Sequence, residues 1–520
     1  MSHLIILPVV LPAVLAPFII MVIRHHLDLQ RIFSLAGTVA LCVIAAMLTA
    51  RAGGGAVEVY ELGDWPAPFG IVLVLDRLSA LMVALTAGLA LAVLLYVIGT
   101  NWDTRGRHFH ALFQFQLMGV MGAFLTGDAF NLFVFFEVLL IASYGLMIHG
   151  GGRRRLQAGV QYVVYNLLGS TLFLFALGTL YAVTGTLNMA DLALRVAEIG
   201  PEDTALLRVG AVLLLLVFAI KAAVLPLHFW LPASYANAPL PVAALFAIMT
   251  KVGGYAILRM YTLVFGPDLA ATEGLVGAWL LPAALATLAV GSVGLLGARE
   301  IGRLMAFGAI ASMGTLLVAI ALFTPQATAA AVYYAIHSTL AAALMFLVAD
   351  MISERRGGAI APHTPMRQAG PISALYFGGA IALAGMPPLS GFLGKLLVMD
   401  AARGADVAGG TATVWAVILI SSFIAIVGLA RAGSVLFWKS HDAAYKREPE
   451  PGQEPDADMA LPEPAPEPLA ALPFVAAFGL LAGLAALTVF AGPVMDYATA
   501  TADQLFQPAA YLDTVLGRAE

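Results

Sequence analysis

Four ionisable side chains lie inside apolar runs of this 520-residue chain, where a charge facing lipid would be costly. They are Glu137, Lys221, Lys251 and Lys395. An unpaired charge near the centre of a bilayer costs about 2.5 kcal/mol or more, so we expect these groups to face the protein interior, to pair, or to meet water. One acid cannot neutralise three bases. Because a buried lysine can give up its proton, the excess of lysines favours proton transfer over static pairing, although a structural ion pair and, for Lys251, a side chain reaching the membrane surface remain alternatives.

Two of these lysines lie beside prolines that predict breaks in helices. Pro226 follows Lys221 by five residues, and Pro387-Pro388 precede Lys395 by seven. Proline removes a backbone hydrogen bond and opens a helix. An opened helix is tolerated in a membrane where it is buried or lines a wet cavity. The separation of the two lysines, 174 residues (395 minus 221), therefore predicts two related halves with one broken helix each.

The two halves differ in their acidic residues, and two histidines are further candidates for proton exchange. The residue 174 positions after Glu137 is Ala311, so the second half lacks an equivalent carboxylate. His337 lies in the middle of an apolar run and can exchange a proton near neutral pH, or can be a hydrogen-bonded core histidine. His228, two residues after Pro226, is open to the same two interpretations.

The elements that must position these residues are membrane-spanning helices. Hydrophobic residues make up 61% of the chain and charged residues 11%, against roughly 25% charged residues in soluble domains. A span needs about 20 apolar residues, and fourteen apolar runs qualify. They lie at 4–23, 32–50, 71–99, 109–126, 130–148, 157–184, 206–225, 240–263, 275–297, 302–322, 327–350, 371–398, 411–438 and 469–492. The sequence therefore predicts an all-α polytopic membrane protein with about 14 transmembrane helices. The 51–70 stretch is too polar to span, and we expect a loop there with short strands around Glu58–Tyr60 and Ile71–Leu75.

Composition also excludes several classes of function. There is no extended basic patch for nucleic acid, and no phosphate-binding glycine motif for an ATP-driven pump. Cys42 is the single cysteine, which excludes an internal disulfide or a cysteine-ligated cluster. No histidines, cysteines or acids have metal-ligand spacing, so we expect no metal and no cofactor.

Arginine and lysine placement predicts the orientation. Basic residues concentrate in the loops after odd-numbered helices, which predicts that these loops face the cytoplasm and that both termini face outward. The Pro- and Glu-rich segment at 439–468 should be a flexible cytoplasmic linker, and a cation-collecting role for its acids is the alternative.

Three segments carry a resemblance to a known family. They are KAAVLPLHFWLPASYANAPLPVAALFAIMTKVGGYAILR at 221–259, NLFVFFEVLLIASYGL and GMPPLSGFLGK. With them the chain resembles the large antiporter-like subunits shared by respiratory complex I and the Mrp-type multisubunit cation/proton antiporters. The segment FWLPASYANAP and the length of the chain are most similar to those of the D subunits of Mrp antiporters.

The resemblance implies a fourteen-helix fold with two inverted five-helix repeats and broken helices 7 and 12. The implied segments are helices 1–3 in residues 1–100, a first repeat (helices 4–8) at 109–263, a second repeat (helices 9–13) at 275–438, the linker at 439–468, and helix 14 with a tail at 469–520.

The resemblance also implies roles for the ionisable residues. In that family the fifth-helix glutamate and the seventh-helix lysine form a functional pair, which corresponds to Glu137 and Lys221. Lysine at the twelfth-helix position departs from the glutamate of some complex I subunits. The predicted proton relay runs through Glu137, Lys221, Lys251, His337 and Lys395, with His228 as a further candidate.

The implied function is transport and not enzymatic catalysis. We expect a proton-translocating subunit of a multisubunit antiporter in the bacterial inner membrane, which exchanges monovalent cations, sodium in the first place, for protons. Its partners would be the other subunits, the two ions and the lipid bilayer. No carboxylate cluster for the cation is visible inside the spans, so we expect the cation path elsewhere in the complex. Two alternatives stay open: a proton-pumping subunit of a redox-driven NADH:quinone oxidoreductase, and a scaffold whose charges only hold helices together.

Overall fold

The chain folds as a bundle of α-helices with one small β-hairpin. The computed structural model describes residues 3–200, 204–267, 269–405, 407, 409–439 and 468–518. The first helices are α1 (Leu7–Met21), α2 (Leu27–Ala52), α3 (Arg77–Gly99), α4 (Phe109–Leu125), α5 (Ala129–Met147), α6 (Arg153–Thr184), α7 (Met189–Glu198), α8 (Thr204–Lys221), α9 (Trp230–Asn237), α10 (Leu240–Phe246) and α11 (Met249–Leu263). The others are α12 (Leu281–Gly297), α13 (Ile301–Ala321), α14 (Pro325–Arg356), α15 (Ala369–Ala384), α16 (Ser390–Ala401), α17 (Thr411–Gly433), α18 (Ala471–Val489), α19 (Ala491–Phe506) and α20 (Ala509–Val515).

The lengths and apolarity of these helices fit a membrane-spanning bundle. Within the described residues, eleven helical stretches are long and apolar enough to cross a membrane, and α1, α4 and α15 are shorter apolar helices. The predicted all-α polytopic class is therefore confirmed, while the number of fourteen spans stays a prediction. The predicted short strands are also present as β1 (Glu58–Glu61) and β2 (Val72–Leu75), which pair antiparallel with Glu58 opposite Leu75.

Both predicted helix breaks occur where the prolines indicated them. Helix α8 ends at Lys221, and the chain makes a 3-10 turn at Leu227–Phe229 before α9 begins. Helix α15 ends at Ala384, and α16 starts only at Ser390. The apolar runs predicted at 206–225 and 371–398 are consequently not continuous helices. Each break leaves backbone carbonyls of the preceding helix without an intrahelical partner, so these carbonyls can accept hydrogen bonds from side chains.

Two regions differ from the sequence prediction. Helix α7 is a short amphipathic helix that begins after Asn188, whose side chain accepts hydrogen bonds from the backbone of residues 190 and 191. The residues after 492, predicted as a tail, form α19 and α20, because α19 packs against α14 and α3 and buries Ala498, Ala502 and Leu505. The predicted linker at 439–468 lies outside the described residues except at its two ends.

The centre of the bundle consists of α10–α11, α13 and α14, whose apolar segments are nearly wholly buried, whereas α2, α6 and α17 are largely exposed at its periphery. This arrangement decides where the ionisable residues lie. Lys251 on α11 and His337 on α14 belong to the central helices. Glu137, Lys221 and Lys395 belong to helices that surround them.

Candidate functional site

Lys221 is the last residue of α8, directly before the first helix break. Its side chain is buried, and its Nζ donates a hydrogen bond to Asn166 Oδ1 on α6 at 2.9 Å. The ammonium also lies 5.6 Å from the centroid of the Phe136 ring on α5. Lys221 is therefore held by a neutral amide and an aromatic ring.

Glu137 is half-buried on α5, and it accepts a hydrogen bond from Ser170 Oγ on α6. The ion pairs of the described residues do not include one between Glu137 and Lys221. Instead, α6 contacts both groups through Asn166 and Ser170, which lie four residues apart and hence on one face of that helix. The predicted pair is open in this structure, and α6 supplies a neutral partner to each member.

Lys251 lies in the first turn of α11 and is 2% exposed. Among the residues that the structure describes, its ammonium has no hydrogen-bond partner. It borders a cavity of about 20 Å³ that is otherwise lined mainly by apolar side chains such as Leu78 and Met82. That volume suffices for one water molecule. The ammonium is enclosed by protein, so the alternative of a side chain reaching the membrane surface is wrong.

His337 on α14 and Lys395 on α16 both contact residues that border the second helix break. His337 Nδ1 is 2.9 Å from the hydroxyl of Ser390, the first residue of α16, while its buried Nε2 has no partner in the described chain. Lys395 Nζ donates to the backbone oxygen of Ala384 at 2.8 Å and to Ser422 Oγ at 2.9 Å. Ala384 is the last residue of α15, so the helix break provides the acceptor that holds Lys395.

His228 lies in the 3-10 turn between α8 and α9. Its ring packs on Phe229, with 4.7 Å between the ring centroids, and its buried Nδ1 has no hydrogen-bond partner among the described residues. Neither nitrogen bonds to another member of the predicted relay in the described structure. His228 is therefore placed at a helix break, as predicted, but apart from the other candidates.

These positions share one property. Lys221, Lys251, His337 and Lys395 are all buried, and none of them forms an ion pair within the described part of the chain. A buried charge without a charged partner is expensive, and a buried base avoids that cost when it loses its proton and becomes neutral. Among the described residues, no group of three or more His, Cys, Asp or Glu side chains is placed to hold a metal ion. The arrangement suits proton exchange between separate sites.

The sequence prediction missed several buried polar residues. Arg259 on α11 forms a buried ion pair with Asp76 at 2.6 Å. Asp350 on α14 is 2% exposed and accepts hydrogen bonds from neutral donors only. Both Arg259 and Asp350 lie near the ends of predicted apolar runs, where a charged side chain is expected to face the membrane surface. Asn166 and Ser170 could have been found from their four-residue spacing on an otherwise apolar helix.

The central part of the chain is similar to a known family of membrane proteins. Residues 126–425 match the family described as NADH:quinone oxidoreductase/Mrp antiporter, transmembrane region. This segment contains α5 to α16 with both broken helices, and hence all six residues of the predicted relay.

Two similar curated relatives and one solved structure extend the match to the whole chain. The D subunit of a probable K⁺/H⁺ antiporter from Rhizobium meliloti is 38% identical, with 99% of this chain and 98% of the relative covered. The D subunit of a Na⁺/H⁺ antiporter from Bacillus subtilis is 37% identical, with 99% and 100% covered. A chain in the structure of the Mrp complex from a Dietzia species superimposes with a TM-score of 0.86 at 28% identity, with 99% and 100% covered.

Proposed function

Because this chain belongs to the family of NADH:quinone oxidoreductase and Mrp antiporter membrane subunits, we propose that it is the proton-translocating subunit of a multisubunit antiporter. The complex exchanges a monovalent cation, sodium or potassium, for protons. Relatives that are similar over their whole length are named as the D subunits of Na⁺/H⁺ and K⁺/H⁺ antiporters, which supports this choice over a redox-driven pump.

The observation that carries the proposal is the set of buried bases without ion-pair partners. Lys221 is bonded to an amide, Lys251 borders a water-sized cavity, His337 is bonded to a hydroxyl, and Lys395 is bonded to a carbonyl and a hydroxyl. Each of these neutral partners can accommodate a side chain that gains or loses a proton. A scaffold would instead pair such charges, as Arg259 and Asp76 do.

In this mechanism Glu137 controls the proton on Lys221. When the carboxylate and the ammonium meet, the pair holds the proton; when they separate, as in this structure, the proton is free to move on to Lys251. From there it passes through water to His337 and Lys395. Small side-chain movements between α5, α6 and α8 are sufficient for the switch, since Asn166 and Ser170 already offer both groups alternative partners.

We further propose a location and an orientation. The complex lies in the bacterial inner membrane, with the loops rich in arginine, such as 149–155, in the cytoplasm and both termini outside. The cation passes through another part of the complex, because the described residues of this chain hold no cluster of carboxylates in the spans.

The proposal is tested with Glu137→Gln in inside-out vesicles that carry the chain and its co-encoded partners. Respiration establishes a pH gradient, sodium or potassium is added, and a pH-sensitive dye reports the collapse of the gradient. Glutamine still accepts the hydrogen bond from Ser170 but carries no charge. We expect wild-type vesicles to respond to the cation and the variant to lose at least about 10-fold in rate.

The matched control is Glu198→Gln, which makes the same chemical change at an exposed position of α7. It should exchange at the wild-type rate. Wild-type vesicles that ignore every cation would overturn the antiporter proposal in favour of the redox-driven pump. Full activity of Glu137→Gln would remove Glu137 from the proton path.

A further inference from the structure

The second half of the bundle contains a buried acid outside the predicted relay. Asp350 lies on α14, thirteen residues and hence roughly 20 Å along the helix from His337. Its side chain is buried, although it belongs to the same long helix that supplies the central histidine. The first half has the half-buried Glu137 as the carboxylate of the predicted relay, and position 311, which corresponds by spacing, is an alanine.

The two oxygens of Asp350 have different surroundings. Oδ2 accepts a hydrogen bond from Tyr96 Oη at 2.9 Å and another from Trp102 Nε1 at 3.0 Å. Oδ1 has no hydrogen-bond partner in the described residues. The hydrogen bonds orient the carboxylate and leave one of its oxygens available.

The available oxygen belongs to a residue that lines an open cleft. The cleft has a volume of about 490 Å³, and it lies between the loop that precedes α6, the connection from α9 to α10, and the end of α14. Trp102, Asn237, Asp350 and Ser353 are among its lining residues. Water can therefore reach a carboxylate that is otherwise enclosed by protein.

The cationic side chains nearest to Asp350 donate their hydrogen bonds to other acceptors. Arg105 donates two hydrogen bonds to Glu354, at 2.8 and 2.7 Å. Arg155 donates to the backbone oxygens of Asn237, His149 and Gly151.

Arg355, on the same helix, donates to the backbone oxygen of Met351 and to Gln368. Arg153 and Arg154 line the cleft from exposed positions, and Glu354 is the other acid there. Asp350 is thus a buried carboxylate without an ion pair in the described chain.

We propose that Asp350 is a proton-accepting residue that loads protons from this cleft into the second half of the transporter. A hydronium ion in the cleft transfers its proton to Oδ1 and becomes water, and the carboxylate becomes a neutral carboxylic acid. One lone pair is sufficient for this step. A metal cation would need several oxygen ligands in a cleft that three arginines line, so the geometry favours a proton over a metal ion.

This inference rests on the proposed function for its physiological meaning, but its chemistry can be tested separately. In Asp350→Asn the side-chain oxygen still accepts from Tyr96 and Trp102, while the group can no longer bind a proton. In the assembled complex we expect normal abundance and a loss of at least about 10-fold in cation-dependent proton exchange. Asp350→Glu, which restores an ionisable acid, should recover much of the activity.

Glu354→Gln is the matched control, because it neutralises the other acid of the same cleft and keeps a side-chain oxygen that can accept a hydrogen bond from Arg105. It should exchange at the wild-type rate. A purely structural role for Asp350 predicts instead that Asp350→Asn, which keeps both hydrogen bonds, behaves as wild type. Wild-type exchange and an unchanged pH profile in Asp350→Asn would overturn the proposal.

A second measurement separates this inference from the proposed function. Infrared difference spectra of the solubilised complex between high and low pH should show a carboxylic acid band that is lost in Asp350→Asn and kept in Glu354→Gln. This band does not depend on antiport, so its presence would support Asp350 even if no cation were exchanged. An identical spectrum in wild type and Asp350→Asn would contradict proton binding. If Asp350→Asn does not accumulate, Asp350→Glu is measured instead. Its carboxylic acid band should lie at a different frequency from the wild-type band, and a band at the same frequency would overturn the proposal.

Discussion

At the scale of single residues, the buried bases differ in what holds them. Lys221 has one amide acceptor, Lys395 has a helix-end carbonyl and a hydroxyl, and Lys251 has no partner among the described residues. These are partners for a side chain that exchanges protons, since none of them fixes a charge in place. The proposed role of each lysine depends on its ability to lose a proton and not merely on its positive charge.

Replacement of Lys221 or Lys395 by arginine tests this difference. Arginine keeps the positive charge and can donate similar hydrogen bonds, but it does not release a proton in proteins. We expect each variant to lose at least about 10-fold in transport rate per assembled complex. The measurement is dye-reported exchange in vesicles, normalised to the amount of complex.

The control for this pair is Lys439→Arg, at an exposed position after α17, which should leave the rate unchanged. If the lysines only hold helices together by their charge, the buried arginine variants should transport normally. Normal transport in both would contradict the relay.

At the scale of elements, the site depends on how closely α11 approaches the break after α8. A Cβ added to Gly253 would lie 2.8 Å from both Ala222 N and Phe218 O, which are backbone atoms that cannot move aside. The absence of a side chain at this position lets the helix that carries Lys251 pack directly on the end of the helix that carries Lys221.

We expect Gly253→Ala to lower stability by about 1–3 kcal/mol, because the added methyl group overpacks this contact. The neighbouring Gly254→Ala is a matched control. Its Cβ would meet the ends of flexible side chains, those of Ile320 and Met313 at 3.3 Å and that of Leu316 at 3.8 Å. Thermal unfolding of the solubilised complex should show a lower Tm for Gly253→Ala and little change for Gly254→Ala. Equal Tm values for the two variants would mean that the close approach is not required.

At the scale of the whole molecule, one buried ion pair joins three distant parts of the chain. Asp76 caps the start of α3 by accepting from Ser79 N at 2.8 Å, and it also pairs with Arg259 of α11. The guanidinium of Arg259 lies 5.4 Å from the ring of Tyr511 on the C-terminal α20. The pair therefore connects an early helix, a central helix and the end of the chain.

Removal of one member of this pair should be more harmful than removal of both. Asp76→Asn keeps a capping oxygen but leaves Arg259 buried without its partner, which typically costs about 3–5 kcal/mol. We expect the double variant Asp76→Asn with Arg259→Met to recover part of that loss, since no uncompensated charge remains. Membrane abundance and Tm of the solubilised complex are the measurements. A double variant that loses the sum of both single effects would contradict the coupling.

The sequence by itself determined the membrane class, both helix breaks and the identity of the buried bases, because these depend on composition, on proline and on charges within apolar runs. It also identified Glu137 and Lys221 as candidate site residues, each from the apolar run of sequence in which it lies. Only the tertiary structure decided which neutral partners Lys221 and His337 have, since Asn166 lies 55 residues from Lys221 and Ser390 lies 53 residues from His337. The same reason explains Asp350: a charge near the end of an apolar run faces water or protein depending on what packs over it, and here Tyr96 and Trp102 of other segments cover it.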